Sequence, residues 1–130
     1  MPKPVPGEIW RVDLGLTAKV RPCLIMSDYP TEEELALVLV IPHTTAIRGN
    51  RWEFACTKSF LKQGVFHLQQ IQPVSLNRLE TKLGVLTGNE LRMLGKQLVI
   101  AQTRNWMNSK RQIQNCGHLR WNFKRSRSTL

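Results

Sequence analysis

The chain is a succession of strand-length segments followed by one stretch of helical period, and this pattern restricts the fold more than any other feature. Between residues 8 and 14, Trp10, Val12 and Leu14 alternate with polar residues, which is the period of a half-buried strand. Similar segments follow, bounded by prolines, glycines and polar loops. They cover residues 21–27, 35–41, 51–56, 65–72 and 81–86.

A single helix is predicted after the last of these segments. Thr87 and Glu90 have the spacing of a capping box, in which each side chain accepts a hydrogen bond from the other residue's backbone N–H. Leu91, Leu94 and Leu98 then recur at helical spacing. The residues by themselves therefore predict an all-β barrel or sandwich with one late helix.

Two prolines help to place the second and third strands. A proline restricts the preceding residue to extended conformations, so Pro22 makes Arg21 the first residue of the second strand. The third segment is apolar along its whole length, and Pro42 is expected to end it.

Pairing these two strands as a hairpin brings two polar side chains together. If Ser27 pairs with Leu35, Arg21 falls opposite Ile41, and Thr44 lies about 10 Å farther along the strand. A guanidinium binds a phosphate through two hydrogen bonds, and a hydroxyl adds a neutral one, so the pair suits phosphoryl transfer. Alternatively, Arg21 pairs with an acid and Thr44 satisfies a turn.

The charge of the chain favours a polyanionic partner. Nineteen Lys and Arg against nine Asp and Glu give a net charge of +10, which attracts nucleic acid. We predict one compact domain at residues 1–104 and a basic extension at 105–130. In that extension, Trp106, Trp121 and Phe123 either stack on unpaired bases or cover the domain, and a purely solubilising role is the third alternative.

Several classes of protein are not expected. The longest apolar run, residues 35–42, is far shorter than the roughly 20 residues of a membrane-spanning helix, and residues 1–7 lack the apolar core of a secretory signal. We therefore expect a cytoplasmic protein that does not bind membranes. Cys23, Cys56 and Cys116 are widely spaced, which predicts reduced thiols and neither a zinc site nor another cofactor.

Five segments match, in order, motifs of a known family. Residues 6–14 read PGEIWRVDL and residues 21–27 read RPCLIMS, similar to a Gly-Glu-Ile-Trp-x-Val-Asp-Leu motif followed by Arg-Pro and an aliphatic strand. Residues 42–49, PHTTAIRG, resemble Pro-x-Thr-Ser-x-x-Lys/Arg-Gly, and Gly64-Val65 with Gln70-Ile71 resemble a Gly-Val and an Asp-Gln-Ile-Arg strand. Over about residues 6–102, the chain thus resembles the MazF/PemK/Kid toxins.

The resemblance implies a fold, an activity and partners. The fold is a small SH3-like antiparallel barrel of the CcdB/PemK type with a C-terminal helix, here followed by the basic tail, and the assembly is a homodimer. The activity is that of a type II toxin, a sequence-selective, metal-independent endoribonuclease that cleaves single-stranded mRNA to 2′,3′-cyclic phosphate and 5′-OH ends. A cognate antitoxin occupies the RNA site, and operator DNA is a further candidate partner through the antitoxin complex.

The family's conserved arginine and threonine correspond to Arg21 and Thr44, which are the expected catalytic residues. His43 is a candidate general base, because histidine titrates near neutrality, or it faces solvent at a turn. His67 is interpreted as a histidine on a sheet face. The candidate RNA-binding residues are Lys19, Thr45, Arg48, Arg51 and Gln70.

Two departures from the family leave alternatives open. The loop at residues 16–19 has no acid, so a loop acid cannot be the base, and Gln69 and Gln72 stand where relatives carry charges. The alternatives are a nucleic-acid-binding module without catalytic activity and a gyrase-poisoning toxin of the same fold. The basic ending disfavours the second, and retention of Arg21 and Thr44 disfavours the first.

Overall fold

The computed structural model describes residues 3–15 and 19–103. The strands in this part are β1 (Glu8–Asp13), β2 (Val20–Ile25), β3 (Leu37–Thr44), β4 (Glu53–Ala55), β5 (Val65–His67), β6 (Gln72–Ser75) and β7 (Leu79–Val85), and the helix is α1 (Gly88–Gln102). Short 3-10 turns, Leu68–Gln70 and Leu76–Arg78, join β5 to β6 and β6 to β7. The chain divides into two compact units, Met1–Leu98 and Val99–Leu130, and every one of these strands belongs to the first.

The strands form one antiparallel sheet. Its order is β4-β5-β3-β2-β1-β7, and β6 pairs with the first half of β3. The sheet is open, with β4 and β7 at the two ends of this path. The predicted mainly β, antiparallel fold with a C-terminal helix is confirmed.

Side chains of the central strands enter two separate cores, because successive residues of a strand point to opposite faces. In β2, Leu24 packs in one core with Phe66 of β5, whereas Cys23 packs in the other with Val40 of β3. This alternation also assigns faces beyond the cores. Arg21 lies on the Cys23 face of the sheet.

Pro42 does not end the third strand, as the sequence suggested. Strand β3 continues to Thr44, and Pro42 pairs with Cys23. On its other side β3 changes partner here, from β6 at residues 37–40 to β5 at residues 43–44. A proline is tolerated at this position because the hydrogen bond that it cannot donate falls in the gap between the two partners.

The segment predicted as one strand over residues 65–72 is two strands. A 3-10 turn at Leu68–Gln70 separates β5 from β6, and the two strands pair with different parts of β3. Leu68 is fully buried in this turn, while Gln69 and Gln70 are exposed. A run of strand-like composition is thus folded back by one turn, which has no proline or glycine to mark it.

The predicted capping box is present and is joined to the sheet. The Thr87 hydroxyl accepts from the Glu90 N–H (3.2 Å), and Glu90 Oε1 accepts from the Thr87 N–H (2.8 Å). The Cys56 thiol donates to Glu90 Oε2 (3.0 Å), and Lys58 Nζ lies 2.7 Å from Oε1. These hydrogen bonds, those from Cys56 and Lys58 foremost, lower the pKa of Glu90 to about 2.

We expect Glu90→Gln to destabilise the fold by about 1 kcal/mol at neutral pH, because the amide can still cap the helix but no longer forms the ion pair with Lys58. Because the pKa of Glu90 is lower in the folded chain than its ordinary 4.5, its contribution is complete above pH 4.5 and is lost as the pH falls toward 2. Melting curves should therefore separate wild type from Glu90→Gln at pH 7 and converge near pH 2. Glu80→Gln, in an exposed position of β7, is the matched control; equal melts of both variants at pH 7 would contradict the expectation.

The structure bears on the cysteines, on membrane-spanning helices and on metal-binding groups only within the described residues. Cys23 and Cys56 are free thiols. Among the described helices, none has the length and apolar character needed to span a membrane. Within residues 3–15 and 19–103, no group of three or more His, Cys, Asp or Glu is arranged to hold a metal ion. Cys116 and the aromatic, basic extension at residues 105–130 lie outside the described residues.

Candidate functional site

The pairing of β2 with β3 differs from the predicted register. Ile41 pairs with Leu24, not with Arg21, a difference of three residues. The cause is a longer connection than expected, since Met26 N–H donates to Leu39 O (2.8 Å) and Ser27 Oγ accepts from Leu39 N–H (2.9 Å). The residues between Ser27 and Leu37 therefore form the loop.

This register places Arg21 and Thr44 across from each other. Continuing the observed pairs by two residues from Cys23 and Pro42 aligns Arg21 with Thr44, on the same face of the sheet. Both line a cleft of about 580 Å³, here called the Arg21–Thr44 cleft. The other residues that line it are Leu14, Pro42, Ala46, Arg48, His67, Gln69, Gln70 and Gln72.

The polar groups of this cleft are oriented by local hydrogen bonds. Thr44 Oγ1 accepts from the Ala46 N–H (3.1 Å), which leaves the hydroxyl proton available to a ligand. The loop that carries Arg48 closes on the Glu53 carboxylate, which accepts from the N–H groups of Arg48 (2.7 Å) and Gly49 (2.6 Å). These bonds lower the pKa of Glu53. The described lining residues include two arginines and no acid, so the cleft favours an anionic ligand.

His43 does not enter this cleft. As the neighbour of Thr44 in β3, it points to the opposite face of the sheet. The ring is 4% exposed and packs edge-on against Phe66, with 5.1 Å between the ring centroids. Burial lowers the pKa of His43, and its Nε2 has no hydrogen-bond partner among the described residues. The structure thus separates the candidate base from Thr44.

His67 lies in the Arg21–Thr44 cleft instead. Thr44 pairs with Val65 of β5, so His67, two residues farther, shares that face and is a diagonal neighbour at roughly 7–8 Å between Cα atoms. Its Nδ1 is buried without a partner among the described residues. Sequence reasoning missed this placement because the face depends on the register of β3 with β5. The alternation of Val65 and His67 was the available signal.

A second cleft, of about 440 Å³, lies on the other side of Arg21 and is here called the Phe60 cleft. Lys19 and Thr45 lie here and not in the first cleft, and Arg21 lines both. Arg51 lines neither cleft; its guanidinium carbon stands 5.0 Å from the centre of the Trp52 ring. The remaining residues around the Phe60 cleft are Arg11, Val20, Pro22, His43, Phe60, Lys62 and Leu83.

Comparison with known families gives one match over most of the chain. The model of a family described as PemK-like, MazF-like toxins of type II toxin–antitoxin systems matches residues 5–101. Among curated proteins, none matches this chain.

Several solved structures of toxins are similar to this chain. The chain is similar to an endoribonuclease in complex with its cognate antitoxin from a mycobacterial species, with 25% identity, a TM-score of 0.64 and coverage of 76% of this chain and 94% of that chain. It is also similar to the Mycobacterium tuberculosis toxin MazF-mt6, with 26% identity, a TM-score of 0.59 and coverage of 70% of this chain and 91% of that chain. The fold is shared with a MazE–MazF structure from Deinococcus radiodurans, which has 19% identity, a TM-score of 0.62 and coverage of 75% of this chain and 93% of that chain.

Proposed function

Because the chain belongs to the family of PemK-like, MazF-like toxins of type II toxin–antitoxin systems, we propose that it is an endoribonuclease that cleaves single-stranded RNA, mRNA included, at selected sequences without a metal ion. The observation that carries the proposal is the alignment of Arg21 with Thr44 in one cleft that has arginines and no acid among its described lining residues. The similarity to a solved endoribonuclease supports it.

The reaction is a transesterification within the RNA. The ribose 2′ oxygen attacks the adjacent phosphorus and loses its proton, while the bond from phosphorus to the 5′ oxygen breaks. Arg21 donates to the phosphoryl oxygens and stabilises the charge of the phosphorane, and Thr44 donates to a non-bridging oxygen. The 5′ oxygen takes up a proton from water, which leaves a 2′,3′-cyclic phosphate and a 5′-OH end.

His67 is the proton acceptor that the geometry favours. It lines the same cleft as Arg21 and Thr44, whereas His43 points to the other face. A neutral imidazole within reach of the 2′-OH can take its proton as the attack begins and return that proton to solvent afterwards.

We expect His67→Ala to lower kcat by about 10²-fold or more, with a smaller effect on KM, which is the usual range for losing a general base. Added imidazole should restore part of the lost rate, since it supplies the missing acceptor to an otherwise intact cleft. Single-turnover cleavage with and without imidazole is the measurement. His43→Gln is the comparison variant, and equal imidazole rescue there, or none in His67→Ala, would count against His67.

The remaining candidate contacts divide between the two clefts. Arg48 and Gln70 would bind the strand in the Arg21–Thr44 cleft, and Lys19 and Thr45 in the Phe60 cleft. Arg51, beside Trp52, would contact RNA outside both. Contacts of this kind to phosphate and sugar position the strand, while base contacts select the sequence.

We further propose a cognate antitoxin and a second copy of the chain as partners. A solved relative forms a complex with its cognate antitoxin, and an antitoxin that covers the positively charged cleft would exclude RNA from it. In such a pair of proteins, operator DNA would be bound through the antitoxin complex.

The test is cleavage of RNA by the purified full-length chain in the presence of EDTA, with both new ends of each fragment mapped. The proposal expects cyclic phosphate and 5′-OH ends at recurring sequences. Binding without cleavage would support a non-catalytic module, and inhibition of DNA gyrase without RNA cleavage would support a gyrase poison. Either of these results would overturn the proposal.

A further inference from the structure

The Phe60 cleft has the composition of a nucleotide-binding site. Four cations, Arg11, Lys19, Arg21 and Lys62, surround it, and no acid occurs among its described lining residues. Such a surface attracts the phosphates of a nucleic acid. Since Arg21 lines both clefts, the Phe60 cleft adjoins the Arg21–Thr44 cleft at this residue.

Phe60 provides an aromatic surface in this cleft. The residue lies in the loop between β4 and β5 and is 36% exposed, although it is a large apolar residue. The ring is seated on Gly84 of β7, because a Cβ at that position would come within 2.4 Å of two ring carbons. A ring supported by the sheet and still open to solvent can stack with a base of any identity.

The floor of the cleft contains a polar atom without a partner. His43 lines the cleft and is 96% buried, the complement of its 4% exposure, and its Nε2 has no hydrogen-bond partner among the described residues. Buried polar atoms nearly always have a partner in the protein or in ordered water. Because Nε2 is itself inaccessible to solvent, His43 closes this side of the cleft, and a ligand does not reach that atom unless the ring moves.

We propose that the Phe60 cleft binds the nucleotide next to the scissile phosphate, with its base stacked on Phe60 and its phosphate held by Arg11 and Lys62. This inference rests on the proposed ribonuclease function and assigns part of its sequence selectivity to a cleft that does not contain Thr44 or His67. His43, on this account, has no part in proton transfer.

Binding of a non-cleavable RNA separates this site from the chemistry. The probe is a single-stranded 2′-O-methyl oligonucleotide that spans a mapped cut site, prepared with all its bases and with one abasic nucleotide at either side of the cut. The full-length wild type should lose about tenfold in affinity on removal of one of these two bases, whereas Phe60→Leu should bind the intact and abasic probes equally. Comparing the affinity lost on removal of the base in the wild type with that lost in Phe60→Leu isolates the contact between ring and base.

Lys62→Ala, an exposed position, tests the phosphate contact and does not depend on packing of the ring. It should flatten the dependence of log affinity on log salt concentration by about 0.7, the value for one contact to single-stranded nucleic acid. Tyr29→Leu and Lys96→Ala, an exposed aromatic and an exposed cation that line neither cleft, are the matched controls.

The outcomes distinguish this inference from the proposed function. Cleavage by the wild type with unchanged binding by Phe60→Leu and Lys62→Ala overturns the nucleotide site and leaves the ribonuclease intact. A changed salt dependence in Lys62→Ala without any effect of the abasic nucleotide on the wild type overturns base stacking. Absence of cleavage by the wild type contradicts the proposed function itself.

Discussion

Arg21→Ala should fold normally and lose RNA cleavage by about 10³-fold or more in kcat. Arg21 is exposed at the start of β2, so its side chain is not part of either core, and its loss does not leave a cavity. The effect falls on the phosphorane, which loses the charge that stabilises it. Thr44→Ala should be less damaging, because it removes one neutral donor.

The measurement is single-turnover cleavage of an RNA with a mapped cut site, alongside a thermal melt. Arg92→Ala, an exposed arginine of α1 that lines neither cleft, is the control and should cleave as wild type does. Normal cleavage by a folded Arg21→Ala protein would remove the Arg21–Thr44 cleft as the catalytic site.

Gly64→Ala should destabilise the protein by about 3 kcal/mol, at the upper end of the usual cost of overpacking. A Cβ at this position would lie 2.1 Å from the carbonyl oxygen of Thr44 and 2.8 Å from Cε1 of His43. Backbone must therefore move, and among the described residues β3 pairs with β5 at two positions only, His43 with Phe66 and Thr44 with Val65. The same movement displaces Thr44, so cleavage should also fall.

A thermal melt measures the first effect, which corresponds to a drop in Tm of roughly 10 °C or more. Gly95→Ala is the matched control, since nothing lies within 4 Å of a Cβ built there in α1. That substitution should raise stability by about 0.5–1 kcal/mol, because alanine loses less backbone freedom in a helix. Similar melts for the two variants would show that Gly64 has more room than the structure gives it.

The fold class, most strands and the helix could be predicted from the sequence because their signals are local. Alternation at Trp10 and Val12 depends on neighbouring side chains, and the strand observed there, Glu8–Asp13, ends one residue before the predicted limit. The capping box of Thr87 and Glu90 needs only residues three apart. The interactions that produce such features involve only residues close together in the sequence.

The predictions that were wrong concern features that depend on residues far apart in the sequence. Pro42 was expected to end a strand, but whether a missing N–H is harmful depends on which strand lies beside it. The turn at Leu68–Gln70 is stabilised by burial of Leu68 in a core built from distant segments, so composition alone did not reveal it. Each outcome was decided by a partner far away in the chain.

The candidate site shows the same division. That Arg21 and Thr44 suit phosphoryl transfer follows from the chemistry of their side chains, and their meeting was foreseen although the register behind it was three residues wrong. Which histidine joins them was not. The sequence favoured His43 as the base and placed His67 only on a sheet face, because which residues of a strand share a face with Thr44 is not known until the neighbouring strands are.

The sequence by itself thus determined the types of element, the positive charge and the side chains available for chemistry, because these depend on residue identity and short spacing. Only the tertiary structure decided that Thr44 and His67 share a cleft with Arg21 and that His43 faces the Phe60 cleft. The physical reason is that a strand presents alternate residues to opposite faces, so shifting its register by one residue exchanges all the side chains on one face for those on the other.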